Sequence, residues 1–370
     1  MNIRSLSAFL ALGAAALACA DDAAVRRAEP SRNAGRTVFA AHRKVTFDAA
    51  KESAVWCATF QMAWDALGRD VLKGAPDLGT PAAPAFVDGM NASAFPAKAL
   101  DEKACVVVAG RKRDGVLERI AREGREKFGR DLPEASITLA RPDDVLAYCF
   151  LAKQLPFEHP FEAIDGGVTF PGATTPVTAW GLNPGDARKG LAERLAQVRI
   201  LFDGKSGEGS DSKPQPTRGL VIEVAPKGGR DRVLLAQLAQ PPADLAQAWG
   251  TMKELVKAGT PRSPKAGTVL KVPRLHFDLL HHYSEIEGAA VRNKGADGLV
   301  VAQALQSVLF RLDETGAKLE SEAAIALKEE VEEPDRFVFD RPFLVALREQ
   351  GAEEPYFLLW VANPELFGKP

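Results

Sequence analysis

Two short stretches near the C-terminus carry the pattern that decides the fold. Residues 337–344 read FVFDRPFL and residues 357–364 read FLLWVANP, and a charged turn, 348–355, separates them. Apolar runs of strand length on either side of a polar turn predict an antiparallel β-hairpin. We therefore expect Phe343–Leu347 and Tyr356–Val361 to pair as a C-terminal hairpin.

The composition is that of a folded globular protein. Of the 370 residues, 46% are hydrophobic and 26% charged, and the net charge is −2. A nucleic-acid-binding protein would show an excess of basic residues, so this class is not expected. Four cysteines are too few for a scaffold held together by disulfides.

Residues 1–20 have the pattern of an export signal. Arg4 precedes an apolar run over 6–18, which is too short to span a bilayer as a helix. Two kinds of processing stay open: cleavage after the Ala-Cys-Ala sequence that ends at residue 20, or lipid attachment at Cys19. In either case the mature protein is expected outside the cytoplasm, secreted or lipid-anchored to the cell envelope. Residues 21–40 read as a flexible leader.

The remaining chain predicts helices early and strands late. Apolar residues at helical spacing predict helices over 49–67, 114–128 and 242–257. Strands are predicted over 104–109, 144–152, 219–224, 232–238 and 268–280, with 144–152 central in its sheet because it is nearly apolar on both faces. The stretch 300–312 begins as an apolar run and is predicted to end as a strand. This order favours one α+β domain with a large mixed sheet.

Motifs for catalysis or metal binding are missing from the sequence. It contains no GxSxG, P-loop, CxxC or HExxH pattern, so we expect no enzyme, no cofactor and no metal. His276, His281 and His282 are the best metal candidates, but neighbours along a strand point to opposite faces. Cys105 and Cys149 lie on two predicted strands that could be neighbours, and either a disulfide or free thiols would fit.

Several motifs together resemble the serpin family. The hairpin sequence is similar to the family signature, and so are 308–316 (VLFRLDETG), 272–277 (VPRLHF) and 144–161 (DVLAYCFLAKQLPFEHPF). The resemblance implies a single serpin-like domain over 41–370, with N-terminal helices, a large mixed sheet and a C-terminal hairpin. With the export signal, it suggests a divergent bacterial member of the family.

The resemblance also implies a reactive loop, residues 314–338. Its hinge would contain Glu314, Gly316, Ala317, Leu319, Ser321 and Ala323. By loop length, the bond that a protease would cut lies near Glu329, Glu330 and Val331. In an inhibitory serpin the cut loop enters the main sheet as a new strand, so its hinge consists of small residues.

The hinge of this chain departs from that pattern. Lys318, Glu320 and Glu322 would share one face of an inserted strand, and seven acids against two lysines give 317–335 a net charge of −5. There is also no room for a helix between 128 and 144, where inhibitory serpins have one. We therefore expect a monomeric, non-inhibitory scaffold or binding protein with an envelope protein as partner. The alternative is a suicide inhibitor of an extracellular serine or cysteine protease.

Overall fold

The computed structural model describes residues 35–79, 84–132, 137, 139–153, 155–183, 190–204, 219–315 and 335–367. The strands are β1 (Thr37–Phe39), β2 (Ser53–Cys57), β3 (Cys105–Arg111), β4 (Val145–Leu151), β5 (Glu162–Val168), β6 (Val177–Leu182), β7 (Val198–Asp203), β8 (Leu220–Val224), β9 (Asp231–Gln237), β10 (Val269–Pro273), β11 (Leu275–His282), β12 (Leu305–Leu312), β13 (Arg336–Val338), β14 (Phe343–Glu349) and β15 (Phe357–Val361). The helices are α1 (Ala58–Ala66), α2 (Pro84–Asn91), α3 (Val116–Phe128), α4 (Leu191–Ala196) and α5 (Leu245–Ala258).

A seven-stranded sheet forms the centre of the fold. Its strand order is β1-β2-β15-β14-β9-β8-β7. β1 runs parallel to β2 and the other neighbours are antiparallel, so the sheet is mixed, as predicted. The predicted hairpin is also present, since β14 and β15 pair from Phe343 with Val361 to Leu347 with Phe357. The largest hydrophobic core lies against this sheet and includes the buried indoles of Trp180 and Trp360.

The other strands form one sheet and two ribbons. The sheet has the order β13-β10-β6-β5. The two-stranded β3–β4 ribbon and the two-stranded β11–β12 ribbon each leave two edges without a strand partner among the described residues. Helix α3 covers one face of the β3–β4 ribbon, where Val116 and Ile120 pack against Val106 and Val108. Helix α1 packs against the same ribbon.

Three predicted elements were wrong in part. The helix predicted over 49–67 begins only at Ala58, because the fully buried β-rich sequence 53–57 (SAVWC) forms β2 between β1 and β15. The strand predicted over 268–280 is two strands in different sheets, separated at Arg274. The strand predicted over 144–152 is not central, since β4 pairs with β3 alone within the described part of the chain.

The helices α3 and α5 and the hairpin β8–β9 lie where the sequence predicts them. Among the described residues, no helix combines the length and the apolar character that crossing a membrane requires.

Candidate functional site

The structure describes the two ends of the predicted reactive loop. Glu314 and Asp335 are both described, Glu314 just after β12 and Asp335 just before β13. The other predicted hinge and cleavage residues lie outside the described residues, as does Cys19: Gly316, Ala317, Leu319, Ser321, Ala323, Glu329, Glu330 and Val331. The candidate site is therefore built from the anchors of the loop.

The N-terminal anchor is an ion pair between Glu314 and Arg274. Arg274 Nε donates to Glu314 Oε2 at 2.6 Å, and Nη2 donates to Oε1, so the guanidinium binds both carboxylate oxygens. The carbonyl of Glu314 also accepts a hydrogen bond from the Phe161 N–H at 3.1 Å. Arg274 itself sits between β10 and β11, where its N–H donates to the Thr178 carbonyl at 2.9 Å. The hinge acid is thus fixed by both its side chain and its backbone.

A turn at Asp313 supports this anchor. The Asp313 carboxylate accepts hydrogen bonds from the Thr315 N–H at 2.9 Å and from the Thr315 hydroxyl at 2.6 Å. Burial alone would raise the pKa of Asp313, but these bonds and the guanidinium of Arg311 hold that pKa below its usual range. An ionised Asp313 keeps the chain in this turn just before the hinge continues.

The C-terminal anchor is centred on Arg262. Its Nη1 donates to Asp335 Oδ2 at 2.7 Å, and its Nη2 donates to Asp335 Oδ1 at 3.1 Å and to Asp203 Oδ2 at 3.2 Å. The backbone of Arg262 exchanges two hydrogen bonds of 2.9 Å with Ile200 of β7. The Asp335 carbonyl accepts from the Val269 N–H at 2.8 Å, directly before β13 pairs with β10. Arg262 therefore connects the edge of the seven-stranded sheet to the end of the loop.

The two ribbons could accept a further strand. β4 pairs with β3 and β12 pairs with β11, and the described residues place no partner on the second edge of either β4 or β12. Unpaired strand edges offer N–H and C=O groups to an added strand. Both ribbons also contact α1: β4 by packing, and β12 through Gln306, whose Nε2 donates to Thr59 Oγ1 at 2.9 Å.

The sequence comparison covers this region. Residues 277–364 match the model of the family described as "Serpin (serine protease inhibitor)". Over these residues the chain is similar to the serpin family. The matched residues contain Glu314, Asp335 and the C-terminal hairpin, so the resemblance seen in the sequence is confirmed, and the α+β arrangement with a mixed sheet is a serpin-like fold.

Two solved structures similar to this serpin-like chain are of thyroxine-binding globulin bound to thyroxine. The human protein has 11% sequence identity and a TM-score of 0.48, over 85% of this chain and 92% of that chain. In the second structure the identity is 14% and the TM-score 0.38, over 68% of this chain and 65% of that one. The chain thus spans just under two thirds of the length of the latter. No curated protein matches the sequence.

The cysteines of the serpin-like domain are free in the structure. Cys105 pairs with Leu151 and Cys149 pairs with Val107, so the two thiols lie on one face of the ribbon but are not directly opposite. Burial raises the pKa of the Cys57, Cys105 and Cys149 thiols. Burial therefore disfavours the thiolate, the reactive form, at all three positions.

The histidines do not converge. The His281 ring stacks on Phe39 with centroids 4.6 Å apart, whereas His282 Nδ1 lies 3.1 Å from the Glu287 carboxylate. Among the described residues, no group of three or more ligand side chains could hold a metal ion.

Sequence analysis did not predict Arg262 or Asp203. The three members of this anchor are at positions 203, 262 and 335, so no periodicity or motif spacing relates them. The one available signal is the position of each acid beside a long polar or charged stretch, 204–218 and 317–335. Acids at such boundaries are common, so this signal alone could not identify the anchor.

Proposed function

We propose that the protein is a non-inhibitory serpin-fold protein that works outside the cytoplasm as a binding or scaffold protein of the cell envelope. The observation that carries this proposal is the environment of β4. All seven residues of β4 are half-buried. Leu146, Tyr148 and Phe150 pack with the α3 core, while Leu151 packs against the main core. A strand inserted beside β4 would therefore have apolar neighbours on both faces.

The hinge sequence is poorly matched to such a place. Lys318, Glu320 and Glu322 would share one face of such a strand, beside the half-buried apolar side chains of β4, and would lose part of their contact with water. Burying one charge without a partner costs several kcal/mol. Burying three would cost about as much as the whole free energy of unfolding of a small domain. The ion pair of Glu314 with Arg274 further favours a hinge that stays outside the sheet.

The test is a thermal melt before and after limited proteolysis within 317–336. For a non-inhibitory protein we expect the midpoint to stay unchanged or to fall, because the cut segment adds no strand. A matched variant, Lys318→Ala/Glu320→Ala/Glu322→Ala, removes the three charges. If charge is the obstacle, cleavage should raise the midpoint of this variant only. A rise of tens of degrees in the cleaved wild type would contradict the proposal.

The second candidate is a suicide inhibitor of an extracellular serine or cysteine protease. The second edges of β4 and β12, which have no strand partner in the described part of the chain, favour it because a cleaved loop needs such an edge to pair with. This function requires a detergent-stable 1:1 adduct with a protease that cuts after Glu or Val. Cleavage without an adduct across a panel of both protease classes would exclude it for those proteases.

The site of action is tested separately. Envelope fractionation of the wild type and of Cys19→Ser distinguishes the two kinds of processing. If Cys19 carries lipid, the wild type should sediment with membranes and Cys19→Ser should not. If the signal is cut after residue 20, both should be soluble outside the cytoplasm. Retention of both in the cytoplasm would contradict an envelope role.

A further inference from the structure

Both strands of the β3–β4 ribbon are tied to the seven-stranded sheet at one carboxylate. Glu349, the last residue of β14, accepts a hydrogen bond from Lys153 Nζ at 2.5 Å and from the Asp101 N–H at 2.8 Å, both at Oε1. Lys153 comes two residues after β4, and Asp101 comes four residues before β3. Since Cys105 pairs with Leu151, these positions lie at the same end of the ribbon.

Lys153 compensates a like-charge contact within the seven-stranded sheet. Glu349 of β14 stands directly opposite Asp231 of β9 in the antiparallel register. Like charges placed opposite each other destabilise a sheet. Lys153 Nζ lies 3.0 Å from Asp231 Oδ1 and so is shared by the two carboxylates. The Tyr356 hydroxyl donates to the same Asp231 oxygen at 3.0 Å.

The junction is shielded from water. The Lys153, Asp231 and Glu349 side chains are only 14%, 10% and 20% exposed. Removing one member of a shielded ion pair leaves its partners without compensation, which is far more costly than losing a surface pair. At the other end of the ribbon, the ion pair of Arg111 with Asp143 lies within the ribbon itself, and its side chains are 28% and 56% exposed.

We propose that Lys153, Glu349 and Asp231 form a latch that controls local opening of the β3–β4 ribbon from the seven-stranded sheet. When the latch is closed, the ammonium of Lys153 neutralises the facing carboxylates and fixes the end of β4. When it opens, the sheet carries two facing negative charges, and the ribbon keeps its apolar contacts and the exposed ion pair of Asp101 with Arg230. An open surface groove of about 460 Å³, lined in part by Asp101, Arg230 and Glu349, lies beside the junction. This device is independent of whether the protein inhibits a protease.

The chain contains its own reporters of this opening. Cys105 and Cys149 belong to the ribbon, whereas Cys57 belongs to β2 of the seven-stranded sheet. Site-resolved alkylation, followed by mass spectrometry on the full chain under native conditions, measures each thiol separately. Local opening exposes the two ribbon thiols, but global unfolding exposes all three.

Lys153→Met should open the ribbon selectively. We expect alkylation of Cys105 and Cys149 to become about tenfold faster, with Cys57 within about twofold of wild type. Arg194→Met is the matched control, because Arg194 and Glu162 form a similarly shielded ion pair at 2.8 Å away from the ribbon. This control should leave the ribbon thiols unchanged relative to Cys57.

A second variant distinguishes two roles of Lys153: attaching the ribbon to the sheet, and relieving the repulsion between Glu349 and Asp231. Lys153→Met/Glu349→Gln neutralises one of the two facing carboxylates, which removes their repulsion without restoring the tie, so the latch predicts that labelling of the ribbon thiols stays fast. A return to the wild-type rate would mean that Lys153 only relieves repulsion within the sheet. The latch would also be overturned if all three thiols became reactive together, or if Arg194→Met had the same effect. Should Lys153→Met fail to fold, Glu349→Ala provides the same comparison.

Discussion

Arg262 binds both carboxylate oxygens of Asp335, at 2.7 and 3.1 Å, and so joins the end of the predicted reactive loop to the edge of the seven-stranded sheet. The pair is partly shielded, with the Asp335 side chain 13% exposed. Two parallel N–H···O bonds require the planar guanidinium, and an ammonium cannot make them. The C-terminal end of the loop therefore depends on an arginine at this position.

Arg262→Lys tests that dependence. The charge is kept but the paired hydrogen bonds are lost, so we expect the free energy of unfolding to fall by about 1 kcal/mol, measured by urea denaturation. The matched control is Arg125→Lys, since Arg125 and Asp131 form an ion pair with side chains 60% and 76% exposed. Equal stability of Arg262→Lys and wild type would show that charge alone holds the loop end.

The stability that Asp335 contributes should depend on pH in a defined direction. Burial would raise its pKa, but the hydrogen bonds and charge of Arg262 outweigh burial and lower it. The folded state thus favours the ionised carboxylate, and the contribution is complete above the unfolded pKa of about 3.9. It is lost as the pH falls through the folded pKa. Relative to Asp335→Asn, the wild type should lose stability between about pH 5 and pH 2. Parallel pH profiles of the two proteins would contradict this.

Gly89→Ala should destabilise the protein although the substitution lies in helix α2. An alanine normally favours a helix over glycine by about 1 kcal/mol. A Cβ at position 89, however, would lie 2.0 Å from Nε2 of His42, which is itself half-buried. We expect a net loss of about 1–3 kcal/mol in urea denaturation, because the ring or the helix must move.

Gly250→Ala is the control for that substitution. Gly250 lies in α5, and no atom outside the neighbouring helix backbone lies within 4 Å of the position that an alanine methyl group would occupy there, so alanine should stabilise by about 0.5–1 kcal/mol. The two glycine substitutions should therefore have opposite signs. If both stabilise, the close approach of His42 to α2 is wrong.

Tyr283 and Gln306 should behave as one buried unit. The Tyr283 hydroxyl donates to Gln306 Oε1 at 2.8 Å, and Gln306 Nε2 donates to the Cys57 carbonyl at 3.2 Å. Tyr283→Phe should cost about 1 kcal/mol, and Gln306→Leu about 2–3 kcal/mol because it leaves two buried groups without partners. A double-mutant cycle should show a coupling of about 0.5 kcal/mol or more. Additive losses would mean that the hydrogen bond contributes nothing to stability.

Sequence reasoning succeeded where the structure is local. The hairpins and helices α3 and α5 have patterns complete within about 20 residues, and these elements are where they were predicted. The helix predicted over 49–67 was wrong at its start because Trp56 fits the helical spacing of Phe60 and Trp64 yet lies in β2. Nothing local distinguishes a fully buried strand from the first turn of a buried helix.

The long-range ion pairs of the structure could not be predicted from the sequence, and the reason is a different one. Lys153 and Glu349 are 196 residues apart, and Arg262 and Asp335 are 73 apart. Their partnership exists only after the sheets have brought the strands together. The charges of a single sequence do not reveal which of the many acids each base will meet.

The place of β15 in the seven-stranded sheet has a consequence for how the chain reaches this fold. β15 lies between β2 and β14, and Cys57 pairs with Phe357, so 300 residues of chain separate these partners. During synthesis, the edge of β2 that pairs with β15 stays unpaired until the ribosome has released β15. Such non-local closure is slow and exposes apolar strands on the way. Until β15 is in place, the apolar residues of β2 can pair with other chains, so the protein is most open to aggregation before its last strand arrives.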